Sequence, residues 1–131
     1  LSGGGGNDSL YGQQGNDTLA GGAGADGFTF DTALDAANNV DRINDFVVGE
    51  DRIWLERGVF GAAGPDGTLA AGAFALGTTA TEADDRVLYD SATGRLYYDA
   101  DGSGGGAQAV LFASVTAGTA LTAADFTVFT Y

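Results

Sequence analysis

"GGGGNDSLYGQQGNDTLAGGAGADGFTF", residues 3–30, decides the fold by its spacing. Residues 3–11 read GGGGNDSLY, residues 12–20 GQQGNDTLA and residues 21–29 GGAGADGFT, a period of nine. Asp8, Asp17 and Asp26 hold position six of the unit, and Leu10, Leu19 and Phe28 hold position eight. Leu1 and Ser2 fit positions eight and nine of an earlier unit, so the array is expected to continue upstream. A ragged fourth unit, FDTALDAAN (30–38), keeps Asp35 at position six but has lost its glycines, which reads as the end of the array.

A unit with one apolar position cannot fold alone. If two units make one coil, each contributing a turn and a short strand, Asp8 and Asp26 stack on one side and Asp17 and Asp35 on the other. Successive coils then lie about 4.8 Å apart, the strand spacing of any sheet. The two apolar side chains of a coil contribute roughly 3–6 kcal/mol. Carboxylates stacked at about that spacing repel by roughly 1–3 kcal/mol per pair. The segment is therefore expected to be disordered unless a cation between coils reverses the sign of the carboxylate contribution.

Composition narrows the cation. The chain has 131 residues, 18 acidic and 5 basic side chains, a net charge of −13, and neither His nor Cys. All the basic residues are Arg, and no cationic surface exists for nucleic acid or for an anionic membrane. Without thiols or imidazoles a metal site has only oxygen to offer, which suits a hard ion. Calcium takes six to eight oxygens in flexible geometry and accepts backbone carbonyls, whereas magnesium demands a stricter octahedron. No nucleophile–base pair of the usual kind is available, so no enzyme activity is expected of this chain. Asp84 and Asp85 are expected to be solvated loop acids. The first residue is Leu1, not Met, and the chain reads as a C-terminal piece of a longer protein.

Residues after 27 carry most of the apolar weight. VDRINDFVV (40–48) and DRIWLE (51–56) alternate apolar and polar residues, with Gly49 and Glu50 as a tight turn. RVLYDSATGRLYYDA (86–100) predicts a hairpin with Gly94 in a left-handed turn position. QAVLFASV (108–115) and DFTVFTY (125–131) predict further strands. Residues 59–74 read as loop with a turn at Pro65, Asp66 and Gly67, and short helical turns are expected near 59–63 and 121–125.

The unit G-G-x-G-x-D-x-U-x resembles the calcium-binding RTX repeat, which forms a parallel β-roll. The match is strong in 3–11 and 21–29, and Gln13 and Gln14 depart from it in 12–20. The resemblance implies an ion between turns 18 residues apart. It puts the carbonyls of Gly3, Gly5, Gly22 and Gly24 with Asp8 and Asp26 around one site. On the opposite face it puts Gly12, Gln14 and Asp17 with Asp35. NNVDRINDFVVGEDRIWL (38–55) is similar to the segment that closes the roll in serralysin-type C-terminal regions, through Asp41, Ile43, Asp45, Phe46, Gly49, Asp51 and Ile53. Coil arithmetic from Asp26 reaches position 44, so Asp41 or Asp45 is expected to cap the last turn, with at least one of them a calcium ligand; the alternative is that they are solvent-facing strand acids paired with Arg42 or Arg52.

YDADGSGGG (98–106) begins like an EF-hand loop but lacks the Glu such a loop needs, and is either a smaller calcium loop using Asp99 and Asp101 or a turn. The implied architecture is all-β: a short parallel β-roll over 1–35, capped by a β-sandwich-like domain over 36–131 that carries a type I secretion signal in roughly its last 60 residues. The implied function is a calcium-binding module of a secreted, extracellular bacterial protein, monomeric, with calcium and the secretion machinery as partners. The alternative is a polysaccharide-binding accessory module, as in alginate epimerases, with Trp54, Tyr89, Tyr97 and Tyr98 stacking on sugars beside Arg86 and Arg95, although these aromatic residues are expected rather to pack the cap.

Overall fold

The computed structural model describes residues 1–78, 80, 82–102 and 109–130. Among the described residues eleven strands and three 3₁₀ turns follow one another, and no helix exceeds three residues. The strands are β1 (Ser9–Tyr11), β2 (Thr18–Leu19), β3 (Gly27–Phe30), β4 (Asp41–Ile43), β5 (Arg52–Glu56) and β6 (Gly67–Thr68). They continue with β7 (Phe74–Leu76), β8 (Val87–Asp90), β9 (Arg95–Tyr98), β10 (Val110–Ser114) and β11 (Phe126–Phe129). Sheet one runs β1-β3-β5-β11-β6 and sheet two runs β2-β4-β10-β9-β8-β7. No helix among them is long and apolar enough to cross a membrane.

The nine-residue unit explains the alternation between sheets. Each unit spends its glycines on a turn and its last residues on a strand, so consecutive units land on opposite sheets and every second unit stacks. β1 pairs with β3 in parallel, Leu10 opposite Phe28, at the expected 18-residue offset. Ser2 bridges Ala20 and Gly5 bridges Ala23 at the same offset. The stacking then continues with longer coils: β3 pairs with β5 (Phe28 opposite Ile53) and β2 with β4 (Leu19 opposite Ile43). Both sheets thus cross the expected boundary between residues 35 and 36. Position eight forms a ladder, Leu10, Phe28, Ile53 and Phe126, each at most 3% exposed. Leu19 and Ile43 stack in the same way on sheet two, and the two ladders share one core cluster.

The C-terminal half extends these sheets. β11 runs parallel to β5 and β10 parallel to β4, so each covers the edge that the roll would otherwise leave open. The β8–β9 hairpin forms as expected, with Asp90 opposite Arg95 and Gly94 at φ 79°. The short helical turns appear as Gly61–Ala63 and Ala123–Asp125. Residues 59–74 are loop except for the two-residue β6, the 3₁₀ turns Gly61–Ala63 and Ala71–Ala73, and the first residue of β7. β4 and β5 alternate as expected but are not partners. The turn between them, where the N–H groups of Glu50 and Asp51 both donate to the Val47 carbonyl, carries the chain from sheet two to sheet one. Gln108 and Tyr131, at the ends of two expected strands, lie outside the described residues, as do Ser103 and Gly104 of the EF-hand-like stretch.

Candidate metal centre

The two turn stacks sit at opposite margins of the sheets. Turn 3–8 leads into β1 and turn 21–26 into β3; turn 12–17 leads into β2 between them. Positions two and four of the unit have positive φ in all three repeats: Gly4 and Gly6 (90° and 94°), Gln13 and Gly15 (63° and 107°), Gly22 and Gly24 (88° and 111°). Side chains at such φ are strained by roughly 1–2 kcal/mol, which accounts for glycine at five of the six. Gln13 takes that strain, and its carbonyl accepts from the Thr32 hydroxyl. Gln14 and Gly15 line a small polar cleft together with Asp35, Asn38 and Asn39.

Position one has a different constraint. A methyl on Gly21 would coincide with the carboxylate of Asp26, and one on Gly3 would lie 2.6 Å from Oδ2 of Asp8. On Gly12 it would lie 3.3 Å from Oδ2 of Asp17 and 2.5 Å from Oδ2 of Asp41. Glycine there leaves room for the carboxylate of its own repeat to turn back against the backbone. Gly5, by contrast, has nothing within 4 Å of where a methyl would stand.

The carboxylates form ladders through their Oδ1 atoms. The N–H of Asp8 donates to Oδ1 of Asp26 (2.9 Å), and the N–H of Asp26 donates to Oδ1 of Asp51 (2.9 Å). On the opposite margin the N–H of Asp17 donates to Oδ1 of Asp41 (3.0 Å). The other oxygen, Oδ2, of Asp8, Asp17 and Asp26 is buried with no hydrogen-bond partner. A buried anionic oxygen without a donor is costly, at roughly 1–3 kcal/mol or more, unless a cation faces it. Three such oxygens recur at one position of the repeat, each against glycine backbone. The donor set is carboxylate and carbonyl oxygen only. These residues fit a calcium ion.

The expected partners divide as follows. Asp8 and Asp26 come together through stacked turns, with the Gly21 carbonyl against Gly3, the Gly4 carbonyl against Gly22 and the Gly6 carbonyl against Gly24. Asp17 is met by Asp41, 24 residues on, and not by Asp35. Residues 31–40 fold on themselves instead: Asp35 accepts from the N–H groups of Ala37 and Asn38, and Asn39 donates to Thr32 and the Ala33 carbonyl. These bonds, the Ala37 one first, hold the exposed Asp35 carboxyl below its ordinary pKa. Asn16 ties the loop to turn 12–17 through Ala37 and Val40.

Asp41 and Asp45 lie on opposite margins. Asp45 accepts from Gly21 and Gly22 and so caps the third turn (2.9 and 2.8 Å). Neither acid pairs with the arginines considered for them: Arg42 bonds Asn44, and Arg52 bonds the Ala124 carbonyl and Thr127. Asp51, not reached by coil arithmetic, is the residue opposite Asp26. Burial raises the Asp41 carboxyl to about 6, against the opposing pull of the Asp17 N–H and with a further push from the Asp17 charge. Burial likewise raises Asp51, while the N–H groups of Asp26 and Val47 oppose it.

Elsewhere, Asp99 is buried and accepts from the N–H of Asp101 (3.2 Å) at the end of β9. Burial is the main reason its pKa rises. Glu82, Asp84 and Asp85 bring carboxylate oxygens within 4.8 Å of one another. Asp84 is exposed as expected, but Asp85 is buried and accepts from the Glu82 N–H. The aromatic residues divide between the two roles open to them. Tyr89 is 1% exposed, with its hydroxyl on the Thr119 carbonyl, and the buried Tyr98 accepts from the Ala62 N–H. Trp54 instead lines an open cleft with Ser9, Tyr11, Thr29 and Phe129.

Comparison with protein families agrees with this geometry where the orphaned oxygens are found. Residues 1–28 match the RTX calcium-binding nonapeptide repeat (4 copies). The N-terminal segment is therefore an RTX-type calcium-binding repeat array within an all-β chain, and its ion is calcium. No curated protein matches the chain.

Proposed function

We propose that this chain is the calcium-binding module of a secreted protein, one that folds when calcium reaches the stacked turns and whose C-terminal strands close the end of the roll. The observation that carries this reading is the set of buried Oδ2 atoms of Asp8, Asp17 and Asp26 without a hydrogen-bond donor. Asp8 and Asp26, with carbonyls of the turns Gly3, Gly5, Gly22 and Gly24 belong to, hold one ion. Asp17 and Asp41, with Gly12 and Gln14, hold the other face. Bound calcium supplies the positive charge that these oxygens lack. The chain's own part is to aim carbonyls through positive-φ turns, to bury the carboxylates and to lock each through its Oδ1. Export by a type I secretion system follows from the RTX resemblance. It suits an acidic, glycine-rich chain that stays unfolded where calcium is scarce and folds where it is millimolar. β10 and β11, which pair with β4 and β5, support the capping role. The module is monomeric and has no catalysis of its own.

Calcium titration followed by far-UV circular dichroism tests the reading. The chelated chain should lack β-structure at least over the repeats and gain it with calcium, and magnesium should substitute poorly. A fully folded chain in strong chelator refutes it.

A second reading, a polysaccharide-binding accessory module, is favoured by the open cleft that Tyr11, Trp54 and Phe129 share with two hydroxyl side chains. Aromatic faces of this kind stack on sugar rings. Quenching or a shift of Trp54 fluorescence by oligosaccharide, lost in Trp54→Ala, supports it; the absence of any response removes it.

A further inference from the structure

Within the repeats the backbone of one coil satisfies the next. The Gly3 N–H donates to the Ala20 carbonyl (2.8 Å) one coil on. Gly21 occupies the same position of its unit, but no backbone carbonyl takes its N–H. It donates to Oδ1 of Asp45, and the neighbouring Gly22 N–H donates to Oδ2 of the same carboxylate. One side chain thus stands in for the missing coil.

Asp51 does the same for the carboxylate ladder. Its Oδ1 takes the Asp26 N–H, as Oδ1 of Asp26 takes the Asp8 N–H. The second oxygens differ. Those of Asp8 and Asp26 have no donor, whereas Oδ2 of Asp51 accepts from the Val47 N–H (2.8 Å). The residues before Asp51 differ too. NDFVVGE (44–50) has one glycine and folds into a tight turn whose Val47 carbonyl is occupied by two N–H groups. Where the repeat presents carbonyls to a cation, this turn presents an N–H to an anion.

We infer that Asp45 and Asp51 form a metal-free end-stop of the calcium stack, their carboxylates holding the last glycine turn in the arrangement that a further coil would impose. The inference rests on the calcium reading above and deepens it. Calcium between turns 3–8 and 21–26 fixes the N–H groups that Asp45 and Asp51 grip, so ion binding orders residues 44–51. Conversely, that turn raises calcium affinity without touching the ion. Asp45 and Asp51 are positioning residues, and Asp8 and Asp26 are ligands.

The test compares the whole chain with its Asp45→Asn, Asp51→Asn and Asp8→Asn variants by equilibrium dialysis against calcium alone, together with amide hydrogen exchange at saturating calcium. Asp45→Asn and Asp51→Asn should keep the wild-type number of bound ions while the affinity falls several-fold. Exchange should quicken at least ten-fold at Gly21 and Gly22 in the first variant and at Asp26 in the second. Asp8→Asn should lose an ion. Loss of an ion in either end-stop variant overturns the inference, and so does unchanged exchange at the named amides. A wild-type chain that binds no calcium overturns the calcium reading itself, a result the two variants cannot produce.

Discussion

Replacing Asp26 by Asn changes its charge and almost nothing of its shape, so it isolates what the buried oxygen is for. In the native chain Asp26 is 3% exposed, its Oδ1 holds the Asp8 N–H at 2.9 Å, and its Oδ2 has no donor. Asn keeps the acceptor. Without calcium, the substitution removes a buried unpaired charge, at roughly 1–3 kcal/mol. It also removes its repulsion with Asp8 one coil away, roughly 1–3 kcal/mol at about 5 Å and effective dielectrics of 80 to 20. The calcium-free variant should therefore be more stable than wild type by about 1–3 kcal/mol, allowing for the amide's own unmet hydrogen bonds. Calcium offsets that gain. For a dissociation constant of about 10⁻⁴–10⁻³ M, an ion at about 10 mM contributes roughly 1.4–2.7 kcal/mol, and the variant forfeits most of it. The assay is unfolding followed by far-UV circular dichroism, in urea with calcium and, in chelator, as refolding driven by an excluded osmolyte. Asp26→Asn should fold at lower osmolyte than wild type in chelator, and calcium should raise its stability far less than it raises that of wild type. An equal calcium-induced gain in the two proteins refutes the assignment of Asp26 as a ligand.

Gly21→Ala should cost at least ten-fold in calcium affinity, because its methyl takes the place of the Asp26 carboxylate, whereas Gly5→Ala should stay within about 0.5 kcal/mol of wild type in a calcium-saturated melt. Gln13→Gly should raise the stability of the calcium-bound chain by up to about 1 kcal/mol, because relief of the positive-φ strain exceeds the added chain entropy; denaturant titration reads it. Asp41, raised to about 6 by burial, and Asp51, raised in the same direction, hold protons more tightly in the folded calcium-free chain than in the unfolded one. Stability from this source is complete below about pH 4 and is lost as pH rises through about 6. Calcium-stripped protein should accordingly lose β-structure between those values. Calcium-loaded protein should show the opposite slope, since its ligands must be deprotonated, and identical slopes would contradict the site.

The phase of the roll was legible because three independent marks, the glycines, the Asp and the apolar residue, repeat together over residues 3–29. That phase gave Asp8 with Asp26 and Leu10 opposite Phe28. It failed where the coil lengthens. Residues 31–40 fold into a side-chain-bonded loop, so the next rungs come 24 and 25 residues on, at Asp41 and Asp51. Counting by 18 cannot see a loop whose length is fixed by Asn38 and Asn39 bonding their own neighbours. The alternation in 40–56 told which side chains face the core but not which sheet each strand joins, because a period of two carries no partner. Tyr89 and Tyr98 pack the cap, as expected of them, yet sugar stacking stayed open beside it for the same reason: burial is decided by what crosses over them, and that is set by residues distant in sequence.

The placement of β11 gives the chain a late-closing topology. Phe126 lies opposite Ile53, 73 positions away along the chain, and between β5 and β6 the last strand completes sheet one. Loop closure over that span costs little more than over a shorter one, about 0.6 kcal/mol per doubling. Its effect is on timing: contacts of such separation form slowly. A growing chain can therefore assemble its repeats early but cannot seal sheet one until residues 126–129 are free to pair. Closure of sheet one thus waits on β11, however early the repeats assemble.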